Sequence, residues 1–203
     1  MKTKLMILCW VLMLTLGSYA QNSAQARKIL DKTASVVGRR GGASASFTVS
    51  SPKIKATSGT LAIKGNKFHA TTPQAIVWYN GKTQWTYMKN TNEVNISTPT
   101  EAKRMRMNPY TFLTMYKQGY NLSYQRKGSN YLVHMVAQNK KRSVQEVYIT
   151  VNSKTSIPSK ISMREGSNWT QISIRNFKSK NIPNSTFTFR SKDFPKAEIV
   201  DLR

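Results

Sequence analysis

Trp78-Tyr79-Asn80-Gly81-Lys82-Thr83-Gln84-Trp85-Thr86-Tyr87 decides the fold class. Large apolar and small polar residues alternate on either side of Asn80-Gly81, and that dipeptide is the strongest short-range signal for a two-residue hairpin loop. A loop at Asn80-Gly81 pairs Ile76 with Trp85 and Trp78 with Thr83. The next loop, Lys89 to Asn92, sets Trp85 opposite Ile96 and Tyr87 opposite Val94, so Ile76, Trp85 and Ile96 fall in one row. Tyr79, Lys82, Gln84, Thr86, Glu93 and Asn95 take the other face. One side is oily and the other wet.

The same pattern extends in both directions. Upstream, Lys64-Gly65-Asn66-Lys67 is a Gly-Asn turn that pairs Ile63 with Phe68 and Leu61 with Ala70, and Ala43, Ala45, Phe47 and Val49 alternate with Ser and Thr. Downstream, Tyr120, Leu122 and Tyr124 pair through Gly128-Ser129 with Val133, Met135 and Ala137. Further strands are predicted over 144–151, 157–163, 169–177, 186–190 and 198–202. Two segments have the helical period instead. Ala26, Ile29, Leu30, Thr33, Val36 and Val37 follow Asn22 or Ser23 as a cap and precede Gly38. In 100–119, Met105 and Met107 and then Phe112, Leu113 and Tyr116 follow the start signal Asn108-Pro109 and precede Gly119.

These readings sum to a mainly β protein with a few helices: ten or eleven antiparallel strands in one meander, one helix before them and one helical segment inside. Twist accumulates across so many strands, so the sheet must curl or close. Its apolar face exceeds what two short helices cover, which predicts either a dry core or a cavity beneath a helical lid.

Met1 to Ala20 reads as a cleavable secretory signal. Lys2 and Lys4 precede the apolar run Leu5 to Leu16, and Ser18-Tyr19-Ala20 gives a small-x-small cleavage site before Gln21. Residues 21–203 are then a single domain. Cys9, the chain's one cysteine, lies inside the signal, so the remainder holds no thiol for zinc, iron-sulfur or nucleophilic chemistry.

The chain carries 32 Lys+Arg against 8 Asp+Glu, a formal net charge of +24. Such an excess calls for an anionic partner or serves to solvate strand faces and block edge pairing. Export argues against nucleic acid and leaves lipid headgroups, acidic glycans or an acidic protein segment. Arg39-Arg40 before Gly41-Gly42, and Lys103-Arg104-Met105-Arg106-Met107, are the stretches suited to touch an anionic surface. His69 and His134 alternate with apolar neighbours and should face solvent. No G-x-S-x-G, H-E-x-x-H or paired-carboxylate pattern accompanies them, so neither an enzyme nor a metal or cofactor site is expected.

Gly59-x-Leu61-x-Ile63-Lys64, Phe68, Pro73, the Trp78–Tyr87 hairpin, Asn108-Pro109, Phe187-Thr188-Phe189 and Pro195 together resemble the outer-membrane lipoprotein carrier family of Gram-negative periplasms. The resemblance implies a strongly curved, incompletely closed antiparallel β-barrel with a helical lid over an apolar cavity. In that cavity the family shelters the acyl chains of lipoprotein cargo; the alternatives are a lipid-binding sensor or docking module on the same fold, or a protein that binds polyanions through its basic surface. The resemblance implies periplasmic location, a donor transporter complex in the inner membrane, an acceptor at the outer membrane, and a monomer. Phe47, Val49, Leu61, Ile63, Phe68, Ile76, Trp78, Trp85, Tyr87, Val94 and Ile96 are then the expected lining, and Met105, Met107, Phe112, Leu113 and Tyr116 the expected lid. The best-known members carry an arginine before a proline in the first hairpin turn, used in handing cargo on; here Gly65-Asn66 stands in its place.

Overall fold

The computed structural model describes residues 21–52, 54–100 and 114–203. The expected signal at residues 1–20, the basic stretch Lys103-Arg104-Met105-Arg106-Met107 and four of the five expected lid residues, Met105, Met107, Phe112 and Leu113, lie outside the described residues. Helix α1 covers residues 21–37. Its buried residues Ala26, Ile29, Leu30, Thr33, Ala34 and Val37 form a single stripe, and it closes with Gly38 N–H donating to the Ala34 carbonyl at 2.8 Å. Asn22 does not cap the helix. Its side-chain oxygen accepts from the Tyr124 N–H at 2.8 Å and its amide donates to the Tyr124 carbonyl at 3.4 Å.

Twelve strands follow among the described residues: β1 Ala43–Ser51, β2 Ile54–Lys64, β3 Lys67–Thr71, β4 Ala75–Tyr79, β5 Gln84–Met88, β6 Glu93–Ser97, β7 Tyr120–Lys127, β8 Asn130–Ala137, β9 Glu146–Asn152, β10 Pro158–Glu165, β11 Asn168–Ser179 and β12 Glu198–Asp201. They form one sheet in the order β12-β6-β5-β4-β3-β2-β1-β11-β10-β9-β8-β7. The sheet is not closed into a barrel. The single meander expected is in fact two, β1–β6 and β7–β11, joined where β1 pairs with β11. β12 lies parallel to β6, so one pairing is not antiparallel. No turn specifies either junction, and strand alternation alone cannot reveal them.

The run 186–190 is not a strand. Asn184–Phe187 forms a short 3-10 turn beside β3 and β4 instead. The mid-chain segment ends in another such turn, Met115–Lys117, and Gly119 then takes a positive φ of 74°.

The hairpin registers hold at β2–β3, where Ile63 faces Phe68, at β5–β6, where Trp85 faces Ile96, and at β7–β8, where Leu122 faces Met135. The β4–β5 register departs from the expectation. Trp78 pairs with Trp85 and Ile76 with Tyr87, because the connection is a four-residue loop over 80–83. Asn80 causes it. Its side-chain oxygen accepts from the N–H groups of Lys82 and Thr83, at 3.0 and 2.9 Å, and so completes a wider turn than the dipeptide signal suggests. The row of three is therefore Trp78, Trp85 and Ile96.

The core joins α1 to the face of β7–β10 that bears Leu122, Val133, Met135, Val147, Ile149, Ile161 and Met163. Val133, Met135, Val147 and Ile149 are fully buried there. We call this the inner face.

Candidate functional site

Pairing carries the inner face from strand to strand. Ile161 faces Ile172, Ile172 faces Val49, Ile174 faces Phe47, Ala45 faces Leu61, Ile63 faces Phe68, and Ala70 faces Val77. The wall is thus apolar from β7 to β4. The side chains that α1 packs on are sealed. Phe47, Val49, Leu61, Ala70, Val77, Ile172 and Ile174 are only half-buried. Beyond β4 the inner face turns polar through Gln84, Thr86, Glu93 and Asn95, with the Gln84 amide donating to the Thr86 hydroxyl at 3.1 Å. The half-bare apolar strip on β11, β1, β2, β3 and β4 is the candidate site.

Gly59 shapes this strip. It pairs with Phe47, and a Cβ built there would lie 2.2 Å from the Thr71 carbonyl oxygen and 2.8 Å from the Phe47 ring. The ring lies across a position kept empty, as aromatic residues do over strand glycines. Gly59→Val should cost about 1–3 kcal/mol in urea unfolding through overpacking, and should displace the Phe47 ring signals in an NMR spectrum.

The expected lining divides between the two faces. Phe47, Val49, Leu61, Ile63 and Phe68 are on the inner face, with Ile63 and Phe68 buried. Ile76, Trp78, Trp85, Tyr87, Val94 and Ile96 are on the outer face, because Trp78 pairs with His69 rather than with the Phe68 side of β3. Tyr79, expected to be wet, is instead 3% exposed on the inner face. Its ring lies 5.5 Å from Phe68, and its hydroxyl donates to the Gly81 carbonyl at 2.8 Å.

The outer aromatic cluster is not open either. The chain after β11 crosses it, placing Phe189 and Phe194 edge-on to Trp78 at 5.5 Å and Phe194 4.7 Å from Tyr87. The oily side of the sheet therefore changes over at β4, which is apolar on both faces, and each oily half has its own cover.

Tyr116, the described member of the expected lid, is a core residue. It is 1% exposed, its hydroxyl donates to the Asp31 carboxylate, and the Arg27 guanidinium lies 5.9 Å from its ring centre. Sequence reasoning omitted Ile172 and Ile174, although their alternation with Gln171, Ser173 and Arg175 made the strand legible. What it lacked was the β1–β11 pairing that brings them to Phe47 and Val49.

Neither histidine is simply solvated. Burial lowers the His69 pKa below its ordinary value, which keeps the ring beside Trp78 neutral near pH 7. His134 stacks on Tyr148 at 4.2 Å on the outer face, with its Nε2 2.8 Å from a Glu146 carboxylate oxygen. Burial acts to raise the Glu146 pKa, but hydrogen bonds from His134, Arg164 and Tyr148 outweigh it and hold the carboxyl low. Among the described residues no three His, Cys, Asp or Glu side chains are grouped to hold a metal.

An unclosed sheet wrapped on α1, with part of its apolar lining bare, is the architecture of a β-shell with an oily interior. The family described as outer membrane lipoprotein carrier protein LolA matches residues 16–167, and the chain belongs to that family. The fold is shared by an uncharacterised conserved protein of Thermus thermophilus, 13% identical, with 87% of this chain and 99% of that one covered and a TM-score of 0.59. A LolA superfamily protein from Nitrosomonas europaea is 10% identical over 81% of this chain and 97% of its own, with a TM-score of 0.44. The lipoprotein LppX of Mycobacterium tuberculosis is 14% identical over 81% and 97%, with a TM-score of 0.46. No curated protein matches the chain in sequence.

Proposed function

We propose that this protein is a periplasmic carrier that shelters the acyl chains of lipoproteins against the inner wall of β11, β1, β2, β3 and β4, and moves them from the inner toward the outer membrane. The half-bare strip around Phe47, Val49, Ile172 and Ile174 carries this reading. Side chains that a protein's own core does not seal are available to another molecule's hydrocarbon. Family membership supports the same reading.

The energetics require such a wall. Each methylene removed from water contributes about 0.8 kcal/mol, so a chain of roughly 16 carbons gains on the order of 12 kcal/mol by burial. Unassisted passage through water is therefore negligible, and a carrier must replace most of that burial. A strip left partly exposed supplies less than a sealed core does, which keeps release feasible. In this scheme residues 1–20 direct export, an inner-membrane transporter complex loads the carrier, and an outer-membrane acceptor unloads it. Gly65-Asn66 in the first hairpin turn calls for a handover that does not use the arginine found there in the best-known members.

Native mass spectrometry of protein isolated from the periplasm of a Gram-negative host tests the reading. The expected result is a bound fraction heavier by one acylated peptide or lipoprotein, lost when Val49 is made Glu. Protein that is uniformly ligand-free, and that fails to take up acylated peptide in vitro, would sink it.

A further inference from the structure

We propose that one end of the sheet, where β1 begins and β11 stops, is a docking face for anionic lipid membranes. Apart from β12 beside β6, neighbouring strands alternate in direction, so this end also carries the β2–β3, β4–β5, β7–β8 and β9–β10 turns. Arg39 and Arg40 lie in the loop after α1, Lys64 and Lys67 flank the β2–β3 turn, and Lys178 and Lys180 stand at the end of β11.

Backbone contacts draw these segments together. Lys180 N–H donates to the Gly42 carbonyl at 3.2 Å and Ile182 N–H to the Gly41 carbonyl at 2.8 Å. The Lys64 ammonium reaches the Ile182 carbonyl at 2.8 Å. Lys82, Lys127 and Lys154 extend the same end through the remaining turns.

Carboxylates are distributed the other way. Glu93, Glu146, Glu165 and Glu198 all lie at the opposite end of their strands, where they mix with lysines. At the basic end, the strand carboxylate is Asp201, and Arg203 already holds it. Of the remaining described carboxylates, Asp31 accepts from Tyr116 and Asp193 pairs with Arg190 at 2.8 Å. Among the described residues, none of the lysines and arginines named at this end, Arg203 apart, has an ion-pair partner.

A positive charge weighted toward one end in this way orients a molecule in the field of an anionic surface. The charges are spread over the tips of several turns rather than gathered in a groove. That arrangement suits laterally mobile headgroups, which can each move to a cation, better than a partner of fixed shape. The inference goes beyond the carrier reading and does not need it: docking would hold whether or not the inner wall takes hydrocarbon.

The test is co-sedimentation of the purified protein with vesicles of phosphatidylcholine containing about 30% phosphatidylglycerol, in which each surface-proximal cation strengthens binding severalfold. Two variants of equal net charge are compared. Arg39→Gln, Arg40→Gln, Lys178→Gln and Lys180→Gln alter the basic end; Lys55→Gln, Lys89→Gln, Lys140→Gln and Lys141→Gln alter exposed sites at the other. The first set should weaken binding by about 100-fold or more and flatten its salt dependence, and the second by no more than about fivefold. Equal losses in the two sets would mean that bulk charge acts and would overturn the proposal. So would equal binding to pure phosphatidylcholine, or tight binding to soluble polyphosphate with none to vesicles. Uptake of acylated peptide should be unchanged in the first variant, which separates failure of docking from failure of the carrier reading.

Discussion

Val49→Glu should lower the affinity for an acylated peptide by about 100-fold or more, because an ionised carboxylate in an apolar contact costs several kcal/mol. Trp85→Glu should leave that affinity close to wild type. Val49 is half-buried on the inner face, opposite Thr57 on one side and Ile172 on the other. Trp85 is half-buried on the outer face, paired with Trp78 and Ile96. Neither is a sealed core residue, so both variants should fold, which near-UV circular dichroism would check. Fluorescence titration with an acylated peptide reads the affinities. The reverse pattern, with uptake lost in Trp85→Glu and kept in Val49→Glu, would show that hydrocarbon binds the outer cluster and would refute the face assignment.

The second large effect concerns the cover of that outer cluster. Trp78→Ala should destabilise the fold by about 3–5 kcal/mol, as truncation of a buried aromatic residue does. Trp78 is 8% exposed and meets His69, Phe189 and Phe194. Phe194→Ala should cost less, since its ring is only half-buried. In urea denaturation the double variant should lose about 0.5–1.5 kcal/mol less than the two single losses added, the coupling expected of an edge-on aromatic pair. Strict additivity would mean that the segment after β11 is not packed on Trp78 in solution.

The outer cluster explains why a reading of residues alone assigned the lining to one face. Phe68 and Trp78 are both large, both in alternating strands and both buried, so hydropathy gives them equal claims to a single core. Their relation depends on the β3–β4 register, in which Phe68 meets Tyr79 and His69 meets Trp78. A shift of one residue reverses every side chain beyond it. The loop after Tyr79 instead moved the β4–β5 partners by two residues, which changed who meets whom and left each side chain on its face. Asn80-Gly81 announced a turn, but its length was decided by where the Asn80 side chain found donors.

Local order was otherwise well encoded. The α1 stripe, the Gly65-Asn66 and Gly128-Ser129 turns, the alternation in each strand, and even the separation of Trp85, Tyr87, Val94 and Ile96 from Gln84, Thr86 and Asn95 all follow from neighbours a few residues apart. Periodicity and turn chemistry operate at that range. The pairing of β1 with β11, the parallel seat of β12 on β6, and the change of the oily side at β4 join residues far apart in the chain or depend on cumulative register. They are settled only when burial is optimised over the whole sheet at once, because each strand's pattern is equally satisfied by facing either way until α1 and the C-terminal segment take their places.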